Sequence, residues 1–368
     1  MMRPLLACLF FALLAGCEPP PPLKIGFLAG VSGRFADLGS PGRNGAQLAV
    51  EMRNQAGGIN GRKVELVVRD DEQDAGKAQA AVRDLAAQGV IAIAGPMTSV
   101  VGTAIVPTLA EVGLVAVAGT VTTTALSGKD DNFFRVIAST RVYARNAARH
   151  HRQAWQVKRA ALVIDMSNRD YSESWMQDYQ AAFEESGGKV VNIVRFDSRQ
   201  PRNYLEIATT ALADRPDVVA IVCNATDAAL LVQKLRQKAP AIRLAGGGWT
   251  ASERLLELGG KAVEGMLVEQ YFNRNDQSET YTRFYHAYLA RFGQEPGFAG
   301  VAGFDAANVI MEAAAKNPAR EQMKATLLSI RTFKGLQDSI RFDEFGDADR
   351  SLYLTLVVNG RFVALGSQ

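Results

Sequence analysis

Two short stretches carry hydroxyls of the kind a bound anion needs: Gly95-Pro96-Met97-Thr98-Ser99-Val100 and Gly119-Thr120-Val121-Thr122-Thr123-Thr124. Each closes an apolar run, VIAIA or LVAVA, that reads as a buried strand. In open parallel sheets, ligands bind outside the carboxyl ends of the strands. A helix starting there offers free N–H groups and a partial positive charge, which suit a carboxylate. Short hydroxyls such as those of Thr98, Ser99, Thr120 and Thr122 add donors without filling the space. Each bond to a charged group is worth roughly 1.5–3 kcal/mol net. Ser and Thr are also the usual helix caps, so either cluster alone reads as capping. Two clusters at adjacent strand ends read as a binding site.

Other chemistry has little to build on. The three histidines, His150, His151 and His286, form no HExxH or Cys/His cluster, so no metal site is expected. His150-His151 falls at the end of a helical stretch, where cations are favoured. There is no GxxxxGK[ST] loop and no GxSxG elbow. The Gly-rich AGVSGRFADLG lacks the GxGxxG spacing of a dinucleotide site. With no nucleophile–base pair evident, the sequence implies neither catalysis nor a cofactor.

The N-terminus gives the compartment. Leu5 to Ala15 is apolar but shorter than the roughly 20 residues a membrane span needs. Arg3 precedes it and small residues close it, the pattern of a secretory signal peptide over residues 1–16. Leu14-Ala15-Gly16-Cys17 resembles a bacterial lipobox, which makes Cys17 the expected lipidation site. Residues 17–22 then read as a lipidated N-terminus and a Pro-rich spacer. Once Cys8 leaves with the leader and Cys17 carries lipid, Cys223 stands alone, so the mature chain has no disulfide. It must fold on its core. With 368 residues, 48% hydrophobic and 21% charged, it has the length for two domains. A net charge of +3 without a basic cluster argues against nucleic acid as a partner. Nothing after Cys17 reads as a membrane helix.

These groups must be positioned by alternating strands and helices. Strands are expected at LKIGFL, KVELVVRD, VIAIAG and LVAVAG, with helices over 45–55, 75–87 and 99–111. A second series follows: helices over 141–156, 172–186, 204–213 and 226–237, with strands RAALVID, KVVNIVRF, DVVAIVC and AIRLAGG. Helices over 281–292, 303–315 and 320–328 precede a terminal β segment in which Asn359-Gly360 signals a hairpin. The fold class is α/β, with two doubly wound parallel sheets.

Several segments carry a resemblance: Gly30 to Gly39, Gly45-Ala-Gln-Leu-Ala49, Gly57-Gly-Ile-Asn-Gly61, GPMTSV, LGGKAVEGMLVEQYF and FDEFGD. The chain resembles the branched-chain amino acid binding proteins of ABC transporters, with the type I periplasmic binding fold, over nearly all of its mature length. That resemblance implies two lobes, residues 23–139 plus 273–349 and residues 140–272 plus 350–368, joined by three crossovers and closing on one small ligand. It also implies a monomeric receptor on the periplasmic face of a membrane, delivering its ligand to a permease.

The family's ligand positions transfer unevenly. Ser99 is implied to hold a carboxylate, with Thr98, Thr120 and Thr122 beside it. Tyr171 is implied to close over the ligand, and Phe298 to supply an aromatic wall. Three positions depart from the pattern. The first-loop aromatic falls at Leu38, and the tyrosine-bearing strand end becomes Cys223-Asn224-Ala225. The acid that pairs a ligand ammonium falls at Gly248, next to Trp249. An ammonium buried without its partner costs several kcal/mol, so Asp165, Asp227 and Glu253 become candidates to replace it. The leading expectation is a small carboxylate-bearing ligand of the hydrophobic amino acid class. The alternatives are an aromatic or other carboxylate or amide without an ammonium, and a signalling receptor module.

Overall fold

The computed structural model describes residues 20–33 and 36–365. The expected leader and Cys17 lie outside the described residues. Pro20 to Pro22 are exposed and outside regular secondary structure, and the Arg62 side chain donates to the Pro21 carbonyl at 3.0 Å.

Five strands, β1 (Leu23–Ala29), β2 (Val64–Asp70), β3 (Ile93–Ala94), β4 (Ala116–Ala118) and β5 (Phe133–Arg135), form a parallel sheet ordered β2-β1-β3-β4-β5. The second sheet contains β6 (Arg159–Asp165), β7 (Lys189–Phe196), β8 (Val218–Val222), β9 (Arg243–Gly246) and β10 (Leu267–Gln270), all parallel. A small antiparallel sheet follows, from β11 (Thr332–Lys334), β12 (Ser339–Phe342) and β13 (Ala348–Asp349). The last two strands, β14 (Tyr353–Val358) and β15 (Arg361–Ala364), return antiparallel to the β10 edge of the second sheet. The expected parallel core of that sheet thus carries the terminal hairpin as an antiparallel edge. The Asn359-Gly360 turn has φ of 52° and 69°, the left-handed pair a two-residue hairpin requires.

The chain crosses between the large sheets three times, after β5, after β10 and before β14. Phe134 of β5 packs edge-on against Phe342, with centroids 5.3 Å apart, and Arg135 pairs with Asp347, so the small sheet sits with the first large one. Strands β3, β4 and β8 are buried at every position, as expected of strands covered on both faces. β6 and β7 match the sequence reading residue for residue. β3 and β4 are shorter than VIAIAG and LVAVAG, although Ile91 N–H still donates to the Lys24 carbonyl and Gly95 N–H to the Val117 carbonyl, each at 2.9 Å.

Two helices begin well before their expected starts, at Ala36 rather than 45 and at Gly297 rather than 303. Their first turns are rich in glycine, which disfavours an isolated helix. Here glycine is what lets the two helices touch. A Cβ on Gly45 would lie 2.0 Å from the Gly300 carbonyl, and one on Gly303 would lie 2.0 Å from that of Gly42. Tertiary contact overrides propensity. At 20 residues, helix Gly297–Lys316 is long and apolar enough to span a bilayer, contrary to the sequence reading, but 72% of its apolar window is buried against the protein.

The histidine pair also departs from expectation. His151 ends its helix fully buried, its Nδ1 2.7 Å from the Tyr179 hydroxyl and its ring stacked on Trp155. Burial pushes its pKa down to about 3, so the ring is neutral rather than a helix-end cation.

Candidate functional site

β3 and β4 pair in register, with Ala94 opposite Val117, so the loops that leave them emerge side by side. That brings the two hydroxyl clusters together. The Ser99 Oγ accepts from the backbone N–H of Thr122 at 3.3 Å and of Thr123 at 3.4 Å. Thr120 donates to the Met97 carbonyl. The Thr122 hydroxyl is buried with no hydrogen-bond partner among the described residues, a state that costs about 1–3 kcal/mol. Thr98 is the N-cap of helix Ser99–Val112, yet its side chain makes no capping bond. The capping reading therefore fails for Thr98 itself.

Residues of the second body meet this wall. The Val100 N–H donates to Asn168 Oδ1 at 3.1 Å. Gln73 Nε2 donates to the Ser167 carbonyl at 2.9 Å, the Thr124 N–H donates to Ser174 Oγ at 3.0 Å, and Thr103 bonds Asp170. Between the two bodies lies a cavity of about 10 Å³, room for no more than one water. Leu38, Met97 and Thr120 line one side; Asn168, Tyr171, Trp249 and Tyr271 line the other, with Phe298 from the first turn of helix Gly297–Lys316. The rings stand edge-on. Tyr171 and Trp249 are 6.0 Å apart, Tyr271 and Phe298 5.2 Å, and Tyr271 and Tyr143 4.7 Å. Such pairs add about 0.5–1.5 kcal/mol each beyond area burial.

Gly248 lies behind this aromatic layer. A Cβ there would fall 2.0 Å from Cζ of Tyr271 and 2.2 Å from its hydroxyl oxygen. The tyrosine ring thus fills the space into which an acidic side chain at 248 would project. An acid is nonetheless close, on the neighbouring strand. Glu269 of β10 is 1% exposed and accepts from Gly248 N–H at 3.1 Å and from Trp175 Nε1 at 3.0 and 3.1 Å. Burial lifts its pKa to about 8 against those hydrogen bonds. Burial also raises the Tyr171 and Tyr271 hydroxyls, with Glu269 adding to both. The sequence reading missed Glu269 and Tyr271. The available signal was a lone acid in LVEQ, a strand buried at every position.

The other expected residues lie elsewhere. Asn224 does not line the cavity. It caps helix Ala225–Lys238, accepting from Asp227 N–H at 3.0 Å, and its amide bonds the Asp227 carboxylate. Asp227 is tied to Arg202 at 2.6 Å and to the Tyr204 hydroxyl. Asp165 accepts from Ser167 and Ser198, and Glu253 pairs with Arg274. None of the three acids weighed as replacements at Gly248 lines the cavity. Larger grooves of about 580 and 640 Å³ lie beside the crossovers, and none of the expected binding residues lines them. Cys223 is a buried free thiol, and no group of three metal-ligating side chains occurs among the described residues.

Two α/β bodies joined by three crossovers, with a ring-lined cavity between their strand ends, have the architecture of a binding protein. The periplasmic binding protein profile matches residues 22–361, and the chain belongs to that family. It is 28% identical over 279 residues to the Leu/Ile/Val-binding protein BraC3 of Rhizobium johnstonii, covering 75% of this chain and 73% of that one. The leucine-binding protein LivK of Thermotoga maritima superposes with a TM-score of 0.85 at 25% identity, covering 94% of this chain and 98% of that one. A solute-binding protein of an R. palustris ABC transporter, solved with benzoate, superposes at 0.83 with 21% identity, covering 94% and 96%. The chain is thus a binding protein of the branched-chain amino acid ABC-transporter type, which operates outside the cytoplasm.

Proposed function

We propose that the chain is the lipid-anchored receptor of an ABC importer, capturing a small carboxylate of the hydrophobic amino acid class. The two sheet-bearing bodies, residues 23–139 plus 273–349 and 140–272 plus 350–368, act as lobes that close on the ligand. Closure also shapes the surface a permease reads. One observation carries the reading. The N-terminus of helix Ser99–Val112 has no cap from its own side chains and opens on the interface, with the Thr122 hydroxyl unpartnered beside it. A carboxylate there meets N–H groups, hydroxyls and the helix dipole. The opposing rings bury an apolar body. They must also part to admit it, since about 10 Å³ holds no amino acid side chain.

A second reading has its own support. No acid lines the cavity, and Tyr271 fills the space an acid at 248 would use. That favours a carboxylate without an ammonium, as in the benzoate complex of the R. palustris relative. A melting screen of the delipidated protein separates the two. Ligand at 100 times its Kd adds about 2.7 kcal/mol. Leucine-like amino acids raising the melting point above benzoate and deaminated analogues sink the second reading, and the reverse order sinks the first. No shift from any carboxylate sinks both. The anchor is tested separately: Cys17→Ser should release soluble protein, and unchanged membrane retention would refute lipidation.

A further inference from the structure

Asn168 is in an unusual position for a cap. It is the N-cap of helix Arg169–Glu185, yet its side chain makes no bond to that helix. Its Oδ1 instead accepts from Val100 N–H at 3.1 Å, in the first turn of a helix on the other body. The residue that would ordinarily cap that helix, Thr98, leaves the N–H groups free to be taken. Asn168 is 4% exposed and lines the same cavity as Thr120.

We propose that Asn168 is a specificity-determining residue whose amide oxygen stands in for a ligand carboxylate at this helix end and must be displaced by it. The inference rests on the carboxylate reading above. A neutral amide or ester exchanges one carbonyl-type acceptor for another and gains little at this position. A carboxylate adds charge to the exchange, and charge-assisted bonds are roughly twice as strong as neutral ones. The helix dipole adds to that difference. Asn168 thus sets a threshold that anions pass and their neutral isosteres do not. Its loss removes one of the bonds that hold the ligand-free bodies together, while those of Gln73 with Ser167 and of Thr124 with Ser174 remain to support closure on a ligand.

The test titrates wild type, Asn168→Ala and Asn168→Asp with leucine, benzoate and benzamide by calorimetry. Whichever carboxylate the wild type binds should bind Asn168→Ala three- to tenfold more tightly, the equivalent of one neutral hydrogen bond removed from competition. Asn168→Asp, which puts a competing carboxylate on the helix end, should bind it at least tenfold more weakly. Unchanged or weaker binding by Asn168→Ala overturns the proposal, because the side chain then holds the ligand or ignores it. If wild type binds neither carboxylate, the ligand-class reading fails, and X-ray scattering of the ligand-free proteins decides the rest. Asn168→Ala should then show a larger radius of gyration than wild type, and Asn168→Asp should not. Equal radii for wild type and Asn168→Ala overturn the stand-in.

Discussion

On the wall built by β3 and β4, the polar groups are backbone N–H groups and short hydroxyls, fixed where two paired strands end; Thr120 lines the cavity, and Thr98, Ser99 and Thr122 do not. On the wall built beyond β6, β9 and β10 they are large rings, whose seating depends on a glycine and on an acid they conceal. The first wall offers donors whose positions are set by the pairing of β3 with β4. The second fills the space with Tyr171, Trp249 and Tyr271, and must rearrange before anything enters. Rigid donors opposite movable rings suit a receptor that recognises one common group and lets the rest of the ligand decide specificity. The comparison can be broken at several points.

The largest effect concerns the concealed acid. Glu269 sits at about 8 against an ordinary 4.5. Between those values the native state holds a proton that the unfolded chain has lost, so stability falls as pH rises, by on the order of 4 kcal/mol in all. Asp37 and Asp71, raised to about 6, act in the same sense but finish below that pH, and His151 acts in the opposite sense below 6.5. The window from pH 6.5 to 8 therefore isolates Glu269 and should show a decline of about 2 kcal/mol. Glu269→Gln should flatten it in calorimetric melts. An unchanged decline would mean that the carboxyl is not the proton holder.

Gly248→Ala tests how the rings are seated. Its Cβ meets the Tyr271 ring at 2.0 Å, and such overpacking costs about 1–3 kcal/mol. Combined with Tyr271→Ala, the loss should be at least 1 kcal/mol smaller than the sum of the single losses. Simple additivity in denaturant titrations would show that the ring does not rest on the glycine.

The hydroxyl wall answers in affinity instead. Ser99→Ala with Thr122→Ala should weaken carboxylate binding at least tenfold, about 1.4 kcal/mol, with the order of preferred ligands unchanged. Equal affinity would reduce both residues to helix packing. An altered order would erase the contrast between the walls.

The two walls also differ in how far the sequence exposes them. The adjacency of the Thr98-Ser99 and Thr120–Thr122 loops was legible because the signal is local: an apolar run, then small hydroxyl residues at the strand end. β6 and β7 were legible for the same reason. Glu269 was not, because its partner Gly248 lies 21 residues away in the chain and meets it only because β9 pairs with β10. Tyr271 was hidden likewise, since nothing in GGGW says which ring covers it. The early starts of helices Ala36–Gln55 and Gly297–Lys316 were obscured by the glycines that enable their contact. Where meaning depends on a neighbour chosen by sheet order or helix crossing, composition and spacing fall silent.

The smallest effect marks the border of the site. Asn224 has the residue type and strand-end position of a ligand contact, yet its side chain caps its own helix and bonds Asp227. Asn224→Ala should therefore cost about 1 kcal/mol of stability, the usual value of a lost cap, and leave carboxylate affinity within twofold. The same residue types thus serve differently at the two strand ends: the helix after β8 is capped by its own Asn224, while helix Ser99–Val112 borrows its acceptor from across the cleft. A tenfold affinity loss in Asn224→Ala would extend the site to β8 and remove that distinction.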